Sequence, residues 1–225
     1  MMHDFKTYIE AYNMAVFDTD KEEAMAVVEK AIADGVKAED VVFKIITPAI
    51  EMMMAMIEKD PDTNLAQHFM TAQIAAEITE KMLALFSQPP QVVGKVVIGT
   101  AFGDLHSLGK RIVSGCLKSM MIEVIDVGVN VKAEDFVNAA IEKQAQVIAV
   151  SSMMVHTATG ENGSLAVRRL LQEKNLEQQI KLVVGGAPYR FDHELYLKTG
   201  ADAWAPDGIT AAKVIQQMIR EVKSS

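Results

Sequence analysis

The first 87 residues follow a helical pattern of apolar positions. Apolar residues recur at spacings of three and four, which places them on one face of an α-helix. Polar or helix-breaking residues interrupt the pattern at 18–20, at Gly35 and at 60–62. Four helices joined by short connections form a small antiparallel bundle, and this is the fold we predict. The predicted helices run over residues 8–16, 24–32, 41–57 and 63–86.

After residue 90 the pattern changes to short apolar runs, rich in Val and Ile, that alternate with helical stretches. This alternation predicts a parallel sheet covered by helices on both faces. Five strands favour the flavodoxin-like, doubly wound (Rossmann-type) α/β fold, whose ligand sites lie outside the C-terminal ends of the strands. The predicted strands are 92–98, 121–127, 147–150, 182–184 and a short one at Ala203-Trp204, and the predicted helices are 108–119, 132–144, 162–175, 190–199 and 208–222.

The change of pattern predicts two domains, a helical bundle cap over residues 1–88 and an α/β domain over residues 91–225. Pro89-Pro90 is the expected linker. Residues 1–90 hold seven lysines, no arginine and sixteen acidic residues, whereas the remaining chain is nearly balanced. Nucleic acid is not an expected partner, because phosphate contacts need clustered Lys and Arg. The acidic half is either a solvated helical surface or a surface that attracts a basic partner.

Composition also limits the cellular context. Cys116 is the only cysteine, so no internal disulfide is expected. No apolar run approaches the roughly 20 residues that a membrane-spanning helix needs. Residues 1–6 lack the basic and apolar segments of a secretory signal, and the cytoplasm is therefore the expected compartment.

His106 is the most informative residue at the predicted strand ends. Neutral imidazole is a common ligand of transition metals, and a carboxylate two residues away, Asp104, would fix its tautomer and raise its basicity. The alternative is a loop histidine that simply hydrogen-bonds to an aspartate. None of the other histidines forms a His-x3-His pair, so a single axial histidine fits best where a macrocycle supplies the equatorial ligands. These other histidines are His3, His68, His156 and His193.

Two further segments follow predicted strands and should converge with His106. Gly185 and Gly186 would let a long cofactor lie against the backbone, although an ordinary tight turn also uses glycines. Ser151 and Ser152 are small and polar; they either leave room for a ligand or simply end a strand.

Taken together, these segments resemble the cobalamin-binding domain of corrinoid-dependent methyltransferases. That family carries Asp-x-His-x-x-Gly, then Ser-x-Leu, then Gly-Gly, and the order and spacing match here. The specific motifs lie within residues 95–207, and the helices before them resemble the cap domain of the small corrinoid proteins. The matching segments are Asp104-Leu105-His106-Ser107-Leu108-Gly109, Ser151-Ser152-Met153 and Gly185-Gly186.

The resemblance implies a corrinoid cofactor, cobalamin, bound base-off and His-on. His106 would be the lower axial ligand to cobalt, and Asp104 would hydrogen-bond to it. The displaced nucleotide tail would enter a slot beside the second and third segments, with Trp204 flanking the base. The slot residues would be Ser151, Met153, Gly185 and Gly186, with Ala187 as a further cofactor-binding residue, and Ser151 would support either the Asp104–His106 pair or the tail.

The implied function is to carry a methyl group on cobalt from a substrate:corrinoid methyltransferase to an acceptor methyltransferase that uses a folate or a thiol. A reductive activator is a further implied partner. The methyl donor would be chosen by the partner enzyme. The sequence departs from the family at Met153, where leucine is usual, at Ser107-Leu108, where Asp-Ile is common, and at His156, where threonine is frequent.

A methionine-rich stretch in the bundle has two interpretations. Flexible thioethers would form an adaptable apolar lid over the upper face of the corrin, or they would simply fill the bundle core. The residues are Met52, Met53, Met54 and Met56, with His68, Phe69 and Met70 in the next helix.

Three other functions remain as alternatives. A cobalamin-dependent sensor or regulator shares the domain but usually has a DNA-binding or signalling module, and no basic recognition helix is visible. The small subunit of an adenosylcobalamin mutase would need a large catalytic partner. A phospho-receiver would need an acidic cluster at the end of the first strand, which Asp104 alone does not supply.

Overall fold

The computed structural model describes residues 5–59, 65–86 and 92–224 of the 225-residue chain. The chain divides into two compact units, Met1–Gln91 with Lys118–Met120, and Val92–Leu117 with Met121–Ser225. The expected Pro89-Pro90 linker lies outside the described residues.

The first unit is helical, as predicted. Its third helix is longer than predicted, because three consecutive segments, one of them a single π-helical turn, run on without a break. The hydroxyl of Thr47 donates to the carbonyl of Val42 at 2.9 Å within this turn. The elements are α1 (Phe5–Phe17), α2 (Lys21–Ala33), α3 (Ala38–Val41), the π turn Val42–Ile46, α4 (Thr47–Lys59) and α5 (Leu65–Leu83).

Local signals in the sequence set the helix ends in this unit. Asp20 is the N-cap of α2, and its carboxylate accepts the N–H of Glu23 at 2.9 Å. Gly35 follows the end of α2 with a φ of 89°, a conformation that glycine adopts at no steric cost. The apolar faces of the helices meet in a buried core that includes Tyr12, Val28, Ile45, Ile50 and Ile78.

The methionine-rich stretch contributes to both core and surface. Met53 is buried, whereas Met52 and Met70 are exposed. The side chains of Met54, Met56, His68 and Phe69 lie outside the described part of the chain. The lid therefore remains a prediction.

The second unit is built on a five-stranded, wholly parallel sheet in the order β2-β1-β3-β4-β5. This is the flavodoxin-like order, so the predicted α/β class is confirmed. The inner strands are almost entirely buried, which explains their continuous apolar runs. The strands are β1 (Gly94–Ala101), β2 (Ile122–Val131), β3 (Val147–Ser151), β4 (Lys181–Gly185) and β5 (Ala203–Ala205).

Helices alternate with these strands. Residues of α7 and α9, including Phe136 and Leu171, share one apolar cluster with Ile148 and Leu182 of the sheet. The last helix, α12, packs against β1, β3, β4 and β5. The helices are α6 (Leu108–Ser119), α7 (Ala133–Lys143), α8 (Val155–Thr159), α9 (Ser164–Glu173), α10 (Ala187–Phe191), α11 (Leu195–Lys198) and α12 (Gly208–Ser224).

Three details differ from the prediction. The predicted helix 190–199 is two short helices, because the backbone of Asp192 is extended and ends α10. The short helix α8 was not predicted. Strand β2 continues to Val131 rather than ending at Val127, because an irregular register lets it follow β1 further. No helix among the described residues has the length and apolar character that a bilayer span needs.

Candidate functional site

The three predicted segments come together at the carboxyl edge of the sheet. Thr100 of β1 pairs with Ser151 of β3, which pairs with Gly185 of β4. Gly185 in turn pairs with Ala205 of β5. Because these four residues are level across the sheet, the loops that follow them leave it side by side.

Asp104 and His106 form a hydrogen-bonded pair in the loop after β1. The ring Nδ1 of His106 lies 2.8 Å from Oδ1 of Asp104, and the same oxygen accepts the backbone N–H of His106 at 2.9 Å. The Asp104 side chain is 1% exposed, whereas the His106 side chain is 53% exposed. The aspartate is thus fixed in the protein interior and holds a ring that faces outward.

The second carboxylate oxygen of Asp104 is held from the β3–α8 segment. It accepts the backbone N–H of Met153 at 2.5 Å and lies 3.0 Å from the hydroxyl of Thr157. The carbonyl of Met154, 2.8 Å from the same hydroxyl, shares its hydrogen. Thr157 was not predicted as a site residue. Its neighbour His156, at a position noted in the sequence, is exposed, and no contact with Asp104 is described for it.

These contacts determine the charge of Asp104. Burial raises the pKa of the carboxyl group, but hydrogen bonds from Met153, His106 and Thr157 outweigh it and hold the pKa below its ordinary value. An ionised carboxylate accepts hydrogen bonds only, so Nδ1 of His106 carries the ring proton. The lone pair of Nε2 is then available to a ligand outside the protein.

The backbone of Asp104 is held by a further residue that was not predicted. Asn130 of β2 donates its N–H to the carbonyl of Asp104 at 3.0 Å, and its Oδ1 accepts the N–H of Gly103 at 2.7 Å. Thr100 donates its hydroxyl to the same Asp104 carbonyl. No sequence motif identifies Asn130, because the contact depends on the irregular register of β2.

Nε2 of His106 is a metal-binding atom that this arrangement leaves without a hydrogen-bond partner among the described residues. Among the described residues, no group of three or more His, Cys, Asp or Glu side chains is placed to hold a metal ion. A transition metal at His106 therefore requires most of its ligands from a non-protein group such as a macrocycle.

The surface around His106 is apolar and exposed. Leu105 is 70% exposed, and Met153 is 50% exposed. Large apolar side chains gathered at one exposed place typically mark a binding surface. The others, which follow β1 or β3, are Phe102, Leu108, Met154 and Val155.

The remaining residues of the first segment begin helix α6. The carbonyl of Ser107 accepts the N–H of Arg111 at 3.1 Å, which places Ser107 at the start of the helix. Gly109 is exposed, and a Cβ on it would lie 3.7 Å from the hydroxyl of Ser151. Small residues therefore face each other where the first and second segments meet.

The glycine pair at the end of β4 has unequal roles. Gly186 has a φ of 115°, and a Cβ there would lie 1.9 Å from the carbonyl oxygen of Ser152. Only glycine fits this position. A Cβ on Gly185 would make only an ordinary 3.7 Å contact, with the carbonyl of Ala205. Ala187 directly follows, half-buried, as the first residue of α10.

Three buried hydroxyls lie behind this glycine pair. Those of Ser152, Ser164 and Tyr189 have no hydrogen-bond partner of ordinary geometry among the described residues. Burial raises the pKa of Tyr189, and the nearby hydroxyls of Ser164, Thr199 and Ser152 offset part of that rise. Buried polar atoms without partners are costly and indicate a place where a polar ligand or water binds.

Trp204 lies on β5, paired with Val184 of β4. Its ring stacks on that of His193 with the centroids 4.9 Å apart.

A separate pocket of about 370 Å³ lies near the start of β4. Its most buried charge, Arg168, pairs with Asp202 at 2.6 Å and donates to the carbonyl of Gly200. Since these groups satisfy one another, the pocket is a structural ion-pair region.

Comparison with known proteins identifies the family of the second unit. Residues 94–215 match the family model of the B12 binding domain. With the fold and the Asp104–His106 pair, this match defines a cobalamin-binding protein.

Relatives along the whole chain specify the family further. The chain is 31% identical to dimethylamine corrinoid protein 3 of Methanosarcina acetivorans over 97% of its own length and all of that protein. It is 30% identical to trimethylamine corrinoid protein 1 of the same organism over 91% of its own length and 92% of that protein. The chain belongs to the family of B12-binding corrinoid proteins.

Solved structures share the fold at low sequence identity. A cobalamin-binding protein from Desulfitobacterium hafniense DCB-2 aligns over 93% of this chain and 98% of its own, with a TM-score of 0.75 and 20% identity. The methanol:cobalamin methyltransferase complex MtaBC from Methanosarcina barkeri aligns over 95% of this chain and 80% of the matched chain, with a TM-score of 0.78 and 20% identity.

Proposed function

We propose that this protein binds cobalamin base-off and His-on, with Nε2 of His106 as the lower axial ligand, and passes a methyl group between two methyltransferases. One observation carries the proposal. The buried carboxylate of Asp104 holds Nδ1 of His106 at 2.8 Å, which leaves Nε2 on a half-exposed ring at the carboxyl edge of the sheet.

The residues present fit the cofactor in three ways. His106 offers one unshared nitrogen, which suits a metal already held by four equatorial nitrogens. Exposed apolar side chains around it, such as Leu105 and Met153, offer a surface for a flat macrocycle. The buried hydroxyls of Ser152 and Tyr189, which make no hydrogen bond of ordinary geometry among the described residues, offer partners for a polar tail.

Individual residues take distinct parts in this proposal. Leu105, Ser107, Leu108 and Gly109 would support the corrin ring beside His106. The nucleotide tail would lie along Ser151, Met153, Gly185, Gly186 and Ala187. Trp204 remains a candidate for the far end of that slot, at the side of its ring that does not stack on His193.

The bound cobalt supplies the chemistry, because it accepts a methyl group and gives it up again. The protein controls the ligand below it. Asp104 fixes the tautomer and direction of the His106 ring, and its negative charge strengthens the donation by Nε2. The Asp104–His106 pair also provides a place at Nδ1 where a proton is held or released as ligation changes.

The proposed partners are a substrate:corrinoid methyltransferase and an acceptor methyltransferase that uses a folate or a thiol, with a reductive activator. The relatives are named for dimethylamine and trimethylamine, and the structural neighbour belongs to a methanol complex. Proteins of one fold thus serve different donors, which supports a choice of donor by the partner enzyme. We also propose the cytoplasm as the compartment, on the composition given above.

A single-turnover experiment tests the carrier function. The protein is loaded with methylcobalamin, freed of unbound cofactor and mixed with a corrinoid:thiol methyltransferase and its thiol. We expect the bound cofactor to lose its methyl group to the thiol, as seen by a change in visible absorbance. Tight binding without transfer to a thiol or a folate acceptor would instead favour the sensor function.

A further inference from the structure

The pairing of β1 with β2 becomes irregular beside the His106 loop. Ile98 pairs with Asp126, but three residues later Ala101 pairs with Val131. Strand β2 therefore holds two extra residues over this stretch. One of them is Asn130, whose backbone is left-handed with a φ of 57°. Asparagine is among the few residues with side chains that adopt this conformation readily.

This conformation directs both the backbone and the side chain of Asn130 at the His106 loop. Its N–H lies 3.0 Å from the carbonyl of Asp104 and 3.0 Å from the hydroxyl of Thr100. Its Oδ1 accepts the N–H of Gly103 at 2.7 Å. Asn130 thus binds the Gly103 N–H, which precedes the Asp104 side chain, and the Asp104 carbonyl, which follows it.

Asp104 holds both the backbone and the ring of His106. The two hydrogen bonds that His106 makes among the described residues both go to Oδ1 of Asp104. Contacts from Met153 and Thr157 hold the carboxylate, but they do not hold the backbone of Asp104. That second constraint comes from Asn130 and Thr100, together with the carbonyl of Ala101, which accepts the N–H of Asp104 at 3.0 Å.

The same part of β2 also holds the far end of the loop. Lys110 of α6 is buried and contacts both carboxylate oxygens of Asp126 at 2.5 Å. Asp126 in turn accepts the N–H of Gly128 at 2.8 Å. His106 therefore lies between two attachments to the irregular segment of β2.

We propose that Asn130 is a positioning residue for the axial ligand, acting through the backbone of Gly103 and Asp104 to fix the His106 ring. The inference rests on the proposed role of His106 as the lower ligand. The competing explanation is a purely local role, since asparagine is favoured at a left-handed position whether or not it contacts the His106 loop.

Three variants separate these explanations. Asn130→Gly keeps the left-handed backbone accessible but removes Oδ1. Asn130→Asp keeps an acceptor oxygen for Gly103 and should rescue the effect. Asn175→Gly is the matched control, because Asn175 is an exposed asparagine with a φ of 54° that lies after α9.

The first readout uses the cofactor-free protein, in which NMR follows hydrogen exchange of the His106 amide. We expect this exchange to become about fivefold to tenfold faster in Asn130→Gly, the order of effect of one lost hydrogen bond. Asn130→Asp should exchange close to the wild-type rate, and Asn175→Gly should be unchanged.

The second readout is the visible spectrum of the protein loaded with methylcobalamin, which reports the fraction of histidine-ligated cofactor. Asn130→Gly should lower the ratio of ligated to unligated cofactor by a similar factor. Wild-type exchange and wild-type ligation in Asn130→Gly would overturn the inference. If the wild-type and His106→Ala spectra are identical, the proposed function fails, while the exchange rates still decide whether Asn130 holds the loop.

Discussion

The hydroxyl of Thr157 lies 3.0 Å from Oδ2 of Asp104, although the two residues are 53 positions apart in the chain. The contact joins the loop after β1 to helix α8 and surrounds the carboxylate with donors. Because the carboxylate is buried, each of these donors supports its negative charge.

Replacing Thr157 with valine should therefore lower the stability of the folded protein and loosen the Asp104–His106 pair. The substitution keeps the shape of the side chain but leaves one carboxylate oxygen with a single donor. We expect a loss of about 1–2 kcal/mol in the free energy of unfolding, measured with urea.

Thr159→Val is the matched control for this substitution. Thr159 lies on the same helix, is exposed and only contacts the carbonyl of Val155. Its variant should unfold within about 0.5 kcal/mol of the wild type. Equal stability of the two variants would contradict the importance of the Thr157–Asp104 contact.

Gly186→Ala should be one of the most damaging small substitutions in the sheet unit. The added Cβ would lie 1.9 Å from the carbonyl oxygen of Ser152, and the φ of 115° is unfavourable for alanine. We expect a loss of more than about 2 kcal/mol in the free energy of unfolding and of most cobalamin binding.

Gly128→Ala separates the two causes of the damage at Gly186. Gly128 also has a positive φ, of 98°, but no atom lies within 4 Å of its would-be Cβ. The Gly128→Ala variant should lose only the free energy of unfolding that comes from placing alanine at a positive φ, about 1 kcal/mol. A similar loss in both variants would show that the contact with Ser152 is unimportant.

Leu105→Gln should lower cofactor affinity without changing stability. Leu105 is 70% exposed, so its side chain contributes little to the folded core, but it lies next to the proposed axial ligand. We expect the dissociation constant for cobalamin to rise at least tenfold, because about 1.5 kcal/mol or more of apolar contact energy would be lost. Leu197→Gln, 62% exposed on α11, is the control and should bind normally. Normal binding by Leu105→Gln would exclude this leucine from the corrin surface.

The thiol of Cys116 should be unreactive in the folded protein. Burial, together with the nearby charge of Asp207, raises its pKa to about 12. In the unfolded chain the same thiol ionises near pH 8.5, so at pH 9 only the unfolded form is substantially a thiolate. Disulfide-exchange reagents should modify it in urea but not in native buffer. Because the unfolded thiol loses its proton at a lower pH than the folded one, ionisation of Cys116 lowers the free energy of unfolding progressively as the pH rises above about 8.5. Rapid modification in native buffer would show that helix α6 is not packed as described.

The sequence was sufficient to predict the elements that depend on local pattern. Runs rich in Val and Ile predicted four of the five strands, and the strand-end rule located Asp104 and His106 together. The contacts of individual atoms were harder to predict from the sequence. Thr157 lies within a short helix that no periodicity predicts, and its contact depends on how that helix folds back over Asp104.

Features that depend on register were not predictable from one sequence. The extra residues in β2 shift Asn130 into contact with Gly103. The apolar pattern along one strand does not reveal where such extra residues occur. Similarly, the predicted helix 190–199 carried a helical pattern throughout, but the extended backbone of Asp192 divides it. Contacts between strands decide the first case, and local hydrogen bonds of Asp192 with Glu194 and Lys198 accompany the second.

The central claim, that His106 ligates the cobalt of a bound corrinoid, is tested most directly by visible spectroscopy. Wild-type protein and His106→Ala are each loaded with hydroxocobalamin and with methylcobalamin, and unbound cofactor is removed. We predict a base-off, histidine-ligated spectrum in the wild type and its loss in the variant, with weaker retention of methylcobalamin. Identical spectra for the two proteins would contradict the ligand assignment, and a colourless wild type would contradict corrinoid binding itself.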